Sequence, residues 1–187
     1  MNDEQRLLVF QDESAVRILP SLSKSYSPIG SSPLLSCDAT NRDYVSISGV
    51  ISHKGGLYFE VREMEGFKKK GLTRFMTNAR KKLRKNLLMI WDNAPSHHSK
   101  VVKSYLSGQD EENPAIWLEN IPPYSPELNP IEQLWGYVKK KLSNRFFKTT
   151  KELKQAVINT LNQVKKNKKL IISFFKNKEL DCYQFFD

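Results

Sequence analysis

Three acidic residues stand at positions from which a folded chain could bring them together. Asp12 follows the apolar run LLVF closely, and Asp92 comes directly after LLMIW. Glu132 comes three residues after Asn129, which with Pro130 predicts the start of a helix. A carboxylate at the end of a buried strand must be solvated, paired or bound to metal. Three converging carboxylates repel one another and raise their own pKa values, and divalent cations remove that repulsion.

These acids predict a metal-dependent reaction at phosphate. Carboxylate oxygens suit Mg²⁺, with Mn²⁺ as a substitute. Two such ions a few ångströms apart are the standard device for in-line displacement at a phosphodiester. We therefore predict that Asp12, Asp92 and Glu132 are both the catalytic residues and the ligands of two ions. Taken singly, each acid has a structural alternative, because a polar strand edge, a turn residue and a capping-box glutamate occur at the same positions.

The elements that must position these acids follow from the hydrophobic pattern. Apolar runs and turn residues predict five strands, and helical spacing predicts four helices, whereas the prolines up to Pro126 predict no regular structure before the third helix. The strands are predicted over 6–13, 42–52, 57–63, 87–92 and 115–120, with a hairpin turn at Gly55-Gly56. Two helices are predicted over 71–85 and 96–106, and two more are predicted to begin at Asn129 and at Thr149. This order suits a mixed α/β sheet with helices on its faces. Adjacent strand ends in such a sheet lie side by side.

The charge pattern predicts a polyanionic partner. The formal net charge is +10, and thirteen lysines and arginines lie between Val138 and Lys178 against Glu152 alone. A second basic cluster occupies residues 66–86, and phenylalanines are interleaved with both clusters. Solvated helix faces are the alternative interpretation of such runs. Nucleic acid is the leading candidate, since phosphate neutralisation is the usual reason to concentrate cations.

Composition excludes several classes of protein. The length of 187 residues fits one domain. Cys37 and Cys182 are far apart and have no Cys/His spacing, which excludes a zinc site and indicates a reducing compartment. No apolar run approaches the roughly 18 residues that would span a bilayer. We predict a cytoplasmic protein with no membrane partner.

Three motifs resemble a known family. QDE at 11–13, WDNAPSHHS at 91–99 and PPYSPELNPIEQLW at 122–135 are similar to the three sequence blocks of the DDE transposases of the mariner superfamily, particularly the bacterial insertion-sequence 630 branch. The resemblance covers Arg6 to Thr150. It implies a ribonuclease H-like fold, with a five-stranded mixed sheet made of a three-strand antiparallel meander plus two parallel strands and helices on both faces. The family's metal-binding triad falls on Asp12, Asp92 and Glu132, with Glu127 as the rival for the third place.

Residues near the triad are candidates for binding DNA. They are Asn93, His97, Tyr124, Ser125, Lys139, Lys140 and Lys141. Asn93 could equally begin a turn, and His97 could be an exposed residue of a first helical turn. Trp135 lies in the apolar stripe of its helix, which predicts a core position.

The resemblance implies a transposase catalytic domain that cuts DNA at transposon ends and transfers the strand to target DNA. Its partners would be terminal inverted repeats and target DNA in the bacterial nucleoid, bound by a dimer. Residues 1–187 are predicted to form one catalytic domain, with 150–187 as a basic helical extension. The family's helix-turn-helix region is expected to be absent here, so the chain is either the second half of a split reading frame, with that region encoded upstream, or a truncated remnant. The alternatives are a ribonuclease H-like nuclease without strand transfer and a silent DNA-binding remnant.

Overall fold

A five-stranded mixed sheet forms the centre of the molecule. The computed structural model describes residues 6–24, 26–31, 42–67, 69–92, 94, 99–108, 116–123, 125–176 and 180. The strands are β1 (Leu7–Arg17), β2 (Tyr44–Ser52), β3 (Leu57–Glu63), β4 (Leu87–Trp91) and β5 (Ile116–Asn120), in the spatial order β3-β2-β1-β4-β5. The first three strands are antiparallel, and β4 and β5 continue the sheet in parallel with β1. The predicted sheet is confirmed.

Strand β1 is longer than its apolar run. The sequence predicted an end at residue 13, but antiparallel pairing with β2 continues to the pair Arg17 and Tyr44. Pairing with β4 stops much earlier, at Phe10 and Ile90. The second half of β1 therefore projects beyond its parallel neighbour and is bordered by a strand on one side only.

The hairpin between β2 and β3 forms as predicted. Gly55 has φ 81, the left-handed region that glycine adopts without strain. Its N–H donates to the carbonyl of Ser52, and the N–H of Ser52 donates to the carbonyl of Gly56, both at 2.9 Å. The glycine pair thus closes the turn and fixes the register of the antiparallel strands.

Helices cover both faces of the sheet, as predicted. Helices α1 (Lys69–Leu83) and α2 (Lys100–Ser107) pack on the face that buries Val9 and Met89. Helices α3 (Ile131–Leu142), α4 (Thr150–Lys166) and α5 (Lys168–Ser173) pack on the face that buries Leu8 and Phe10. Successive residues of β1 serve opposite layers because side chains alternate along a strand.

Helix α4 belongs to the main core. Its side chains Leu153, Val157, Leu161 and Val164 are buried in the same cluster as Phe10. Burying each such side chain contributes about 1.5–3 kcal/mol. The described part of the basic segment 150–187 therefore supports the sheet from which the candidate catalytic residues project.

The helix starts show where local prediction succeeds and fails. Thr149 caps α4 as predicted, accepting the N–H of Glu152 at 3.2 Å. Helix α2 begins at Lys100, capped by Ser99, so its predicted start at residue 96 is wrong. The segment Pro126–Leu128 forms a 3-10 turn where no regular structure was predicted. Proline disrupts a helix interior, but its fixed φ suits the first position of a helical turn.

Candidate active site

The three predicted carboxylates line one cleft, which we call the acidic cleft. It has a volume of about 390 Å³ and lies at the carboxyl end of β4, beside the middle of β1. Its lining residues are Asp12, Asp92, Ala94, Ile121, Pro122, Pro123, Ser125, Pro126, Asn129 and Glu132. No lysine, arginine or histidine is among these described lining residues. The cleft thus gathers negative charge without a compensating side chain.

Asp12 lies two residues beyond the last residue pair of β1 and β4, opposite Gly49 of β2. Burial raises the pKa of Asp12 to about 6. The negative charges of Glu132 and Asp92 contribute to this rise in pKa, and hydrogen bonds from the Glu13 backbone and the Trp135 indole oppose it. The convergence of the carboxylates is thus visible in the electrostatics of Asp12.

Trp135 holds Asp12 in place. Its indole Nε1 donates to Oδ2 of Asp12 at 2.9 Å, across a sequence separation of 123 residues. The ring is 1% exposed, so the predicted core position is confirmed. The hydrogen bond is a second role that the sequence analysis missed, because an apolar stripe gives no sign of where an indole N–H points.

Gly49 makes room for this indole. A Cβ atom at position 49 would lie 2.6 Å from Cη2 of Trp135 and 3.4 Å from Cδ1 of Ile131. The glycine lets α3 approach the sheet at the residue that pairs with Asp12. A lone glycine inside the predicted strand YVSISGVIS was the available signal, since such residues mark close approach of another group.

Asp92 follows β4 directly. Its Oδ1 accepts the N–H of Ala94 at 3.0 Å, a local side-chain to backbone hydrogen bond of the kind that aspartate makes two residues along the chain. The N–H of Ile121 donates to the carbonyl of Trp91 at 2.9 Å, which keeps the end of β5 beside that of β4. These two contacts fix the edge of the acidic cleft that carries Asp92.

Glu132 does not cap its helix. A capping-box glutamate would accept the N–H of Asn129, but that N–H donates to the carbonyl of Pro126 at 3.0 Å. Oδ1 of Asn129 accepts the N–H of Ile131 at 3.4 Å, so the predicted capping residue does act at the start of α3. Glu132 is therefore exposed in the acidic cleft from the first turn of the helix. Glu127 is also exposed but lies on the 3-10 turn, outside the lining of the cleft.

The donor set fits a hard divalent cation. Three carboxylates without a lysine, arginine or histidine among the described lining residues match the oxygen ligands that Mg²⁺ and Mn²⁺ prefer. Within the described residues, no three acidic, histidine or cysteine side chains already form a group that could hold a metal ion. In this conformation the carboxylates share the cleft without forming a closed cage, as mutual repulsion favours.

The predicted DNA-binding residues are less closely grouped. Asn93, His97 and Tyr124 lie outside the described residues. Ser125 lines the acidic cleft. Lys139, Lys140 and Lys141 are all exposed, but successive helical residues point about 100° apart. Lys139 lines a different cleft, and Lys141 places its Nζ 5.5 Å from the centre of the Tyr137 ring.

Among the described residues, no helix is long and apolar enough to cross a membrane.

Comparisons with known proteins agree with this geometry. A family model described as DDE superfamily endonuclease matches residues 7–154. No curated protein sequence matches the chain. Among solved structures, the mariner Mos1 paired-end complex with Mg superposes with a TM-score of 0.68 at 19% identity, covering 90% of this chain and 51% of that one.

Two further solved structures share the fold. The Mos1 strand transfer complex has a TM-score of 0.60 at 18% identity, covering 90% of this chain and 54% of that one. The catalytic domain of Mos1 mariner transposase has a TM-score of 0.56 at 13% identity, covering 90% and 82%. The chain spans about half the length of the chains in the two complexes. The ribonuclease H-like fold is confirmed.

Proposed function

The chain belongs to the DDE superfamily endonucleases, and we propose that it is a transposase catalytic domain that cuts DNA at transposon ends and joins the freed end to target DNA. The convergence of Asp12, Asp92 and Glu132 on one cleft without a compensating cation among its described lining residues carries the proposal. The blocks QDE, WDNAPSHHS and PPYSPELNPIEQLW support placement in the insertion-sequence 630 branch of the mariner superfamily. A bacterial host and action at the nucleoid follow from that placement.

Asp12, Asp92 and Glu132 would hold Mg²⁺, or Mn²⁺ in its place. When bound, such ions activate the attacking oxygen and stabilise the leaving oxygen of an in-line displacement at phosphorus. The Mos1 structures solved with Mg and with Mn are consistent with this choice of metal.

The chain itself positions the ligands. Trp135 orients the Asp12 carboxylate through its indole hydrogen bond, and the hydrogen bond at Asp92 sets the opposite wall of the acidic cleft. Ser125 lines the cleft beside the carboxylates, where its hydroxyl can donate to a phosphate oxygen of the bound strand. The cleft opens to solvent at Glu132, so a DNA strand can enter without separating the helices from the sheet.

DNA is the proposed partner, in the form of terminal inverted repeats and target DNA, bound by a dimer. Solved neighbours described as a paired-end complex with a transposon end and as a strand transfer complex support this proposal. Recognition of one particular repeat needs base contacts in a groove. We propose that a helix-turn-helix segment supplies them.

The test is cleavage of duplex DNA with Mg²⁺ or Mn²⁺ by wild type and by Asp92→Asn. We expect the variant to lose nearly all cleavage while DNA affinity stays almost unchanged, because this carboxylate is proposed to bind metal and not phosphate. Equal activity in the two proteins would instead favour a silent DNA-binding remnant.

A pre-cut transposon end separates the two enzymatic alternatives. A transposase joins the free 3′-OH of that end to a second duplex, which a gel resolves as a longer product. A ribonuclease H-like nuclease hydrolyses DNA but forms no joined product. Cleavage without joining would therefore limit the function to that of a nuclease.

A further inference from the structure

A second cleft lies along the projecting half of β1, and we call it the basic cleft. It has a volume of about 320 Å³ and is lined by Ala15, Val16, Arg17, Leu19, Pro20, Ser21, Lys139, Leu142, Arg145 and Phe147. Three of these residues are cationic, and no carboxylate is among these described lining residues. Neither membership of the DDE superfamily endonucleases nor the chemistry proposed for the acidic cleft assigns a function to this second cleft.

One wall of the basic cleft is fastened by Asn144. The Ser23 N–H donates to Oδ1 of Asn144 at 2.9 Å, and Nδ2 of Asn144 donates to the Ser23 carbonyl at 3.0 Å. The backbone N–H of Asn144 also donates to the carbonyl of Ser21 at 3.0 Å. The segment after β1 is thus tied to the turn between α3 and α4, and the cleft is formed before any ligand binds.

The lining combines cations with an apolar floor. Lys139 and Arg145 are exposed, whereas Leu142 and Phe147 are buried beside them. The guanidinium carbon of Arg145 lies 5.1 Å from the centre of the Phe147 ring, so this cation is held over the floor. A nucleotide matches both parts, because its phosphate pairs with cations and its sugar or base packs on apolar surface.

The basic cleft and the acidic cleft lie on the same two elements. Glu132 and Lys139 are seven residues apart on α3, which is a rise of about 10 Å. Along the axis of a duplex, a DNA strand advances about 3.4 Å per nucleotide. One DNA strand can therefore reach both clefts within a few nucleotides.

We propose that the basic cleft binds the backbone of a DNA strand a few nucleotides from the phosphate that lies in the acidic cleft, with Lys139 and Arg145 contacting phosphate. The spacing rests on the proposed function, since that function places the reacting phosphate. Binding of the strand does not depend on catalysis.

The test is the affinity of Lys139→Gln/Arg145→Gln for a fluorescent single strand and for the matching duplex, measured by anisotropy in chelator over a series of salt concentrations. Lys140→Gln/Lys141→Gln is the matched control, because it removes the same charge from neighbouring residues outside the lining. We expect the cleft variant to bind about tenfold more weakly, because contacts between cations and phosphate are strong. Its salt slope should fall by about 1.4 for the single strand and about 1.8 for the duplex.

Three outcomes decide the proposal. Equal losses of DNA affinity in the two double variants would show diffuse electrostatic attraction and overturn the proposal. Displacement of DNA by polyglutamate at the same charge concentration would also overturn it, because it would indicate an acidic peptide as the ligand. Recovery of binding in Lys139→Arg/Arg145→Lys would support it and exclude a folding defect. If wild type bound DNA through this cleft but never cleaved it with Mg²⁺, the proposed function would fail and the strand site would stand.

The spacing has its own measurement. Single neutral methylphosphonate linkages are placed along the cleaved strand, and cleavage by wild type is mapped. Interference at a linkage within a few nucleotides of the cut, absent in Lys139→Gln/Arg145→Gln, would support the binding of one strand in both clefts. The same interference in both proteins would overturn it.

Discussion

The acidic cleft and the basic cleft lie between the same two elements, β1 and α3, and carry opposite charge. Helix α3 has Glu132 in its first turn and Lys139 in its last. This distribution complements the helix dipole, which favours anions at the N-terminus and cations at the C-terminus. One helix can therefore keep the proposed metal ligands and a strand contact at a fixed separation.

The clefts differ in how they are closed. The acidic cleft is lined by Asp12 of β1, by residues that follow β4 and β5 and by the start of α3, and it has both a local hydrogen bond at Asp92 and the long-range bond from Trp135 to Asp12. The basic cleft needs a side chain 121 residues away from the segment that it holds. In the acidic cleft the long-range contact orients a residue of the sheet itself, whereas in the basic cleft the long-range contacts with Asn144 hold a segment that follows the sheet.

The largest expected effect distinguishes Glu132 from Glu127, the two candidates for the third carboxylate of the triad. Glu132→Gln should lower metal-dependent cleavage by at least about 100-fold, because even the outer partners of metal ligands are worth 10–100-fold. Glu127→Gln is the control, since Glu127 is exposed outside the acidic cleft. Initial cleavage rates with Mg²⁺ measure both. The reverse pattern would transfer the third carboxylate to Glu127.

A smaller effect tests how the sheet supports the acidic cleft. Gly49→Ala should destabilise the fold by about 1–3 kcal/mol, because the new Cβ would lie 2.6 Å from the buried Trp135 ring. It should also lower cleavage, because the indole that orients Asp12 must move. Thermal unfolding and cleavage rates at a temperature where the variant is folded provide the two readouts.

Gly136→Ala is the matched control, because nothing lies within 4 Å of a Cβ there. It should stabilise α3 by about 0.5–1 kcal/mol, the usual gain when alanine replaces glycine inside a helix. Unchanged stability and activity in Gly49→Ala would contradict the close approach of Trp135 to the sheet.

The smallest effect concerns the wall of the basic cleft. Asn144→Gly should weaken DNA binding a few-fold, because loss of the amide frees the segment after β1. Glycine is the appropriate replacement since Asn144 has φ 56, and Asn144→Ala should cost about 1 kcal/mol more in stability. Anisotropy and thermal unfolding would measure these effects. Unchanged DNA affinity in Asn144→Gly would show that the hydrogen bonds from Asn144 to the segment after β1 are not needed for DNA binding.

Much of the fold could be predicted because its signals are local. Apolar runs that end in acids predicted β1 and β4, the glycine pair predicted the hairpin turn, and Thr149 predicted the start of α4. Predictions failed where tertiary pairing decided the outcome. Strand β1 extends to Arg17 because β2 pairs with it from Val9 to Arg17, which the polar sequence QDES does not reveal.

The sequence by itself determined the candidate carboxylates, the sheet that carries them and the charge that favours a polyanion. Each depends on residue type and short spacing, which the chain contains before it folds. Only the tertiary structure decided that the Trp135 indole packs against Gly49 and donates a hydrogen bond to Asp12. It also decided that Lys139, rather than Lys140 or Lys141, lines the basic cleft. These facts depend on the direction of side chains between elements far apart in sequence, and packing sets that direction.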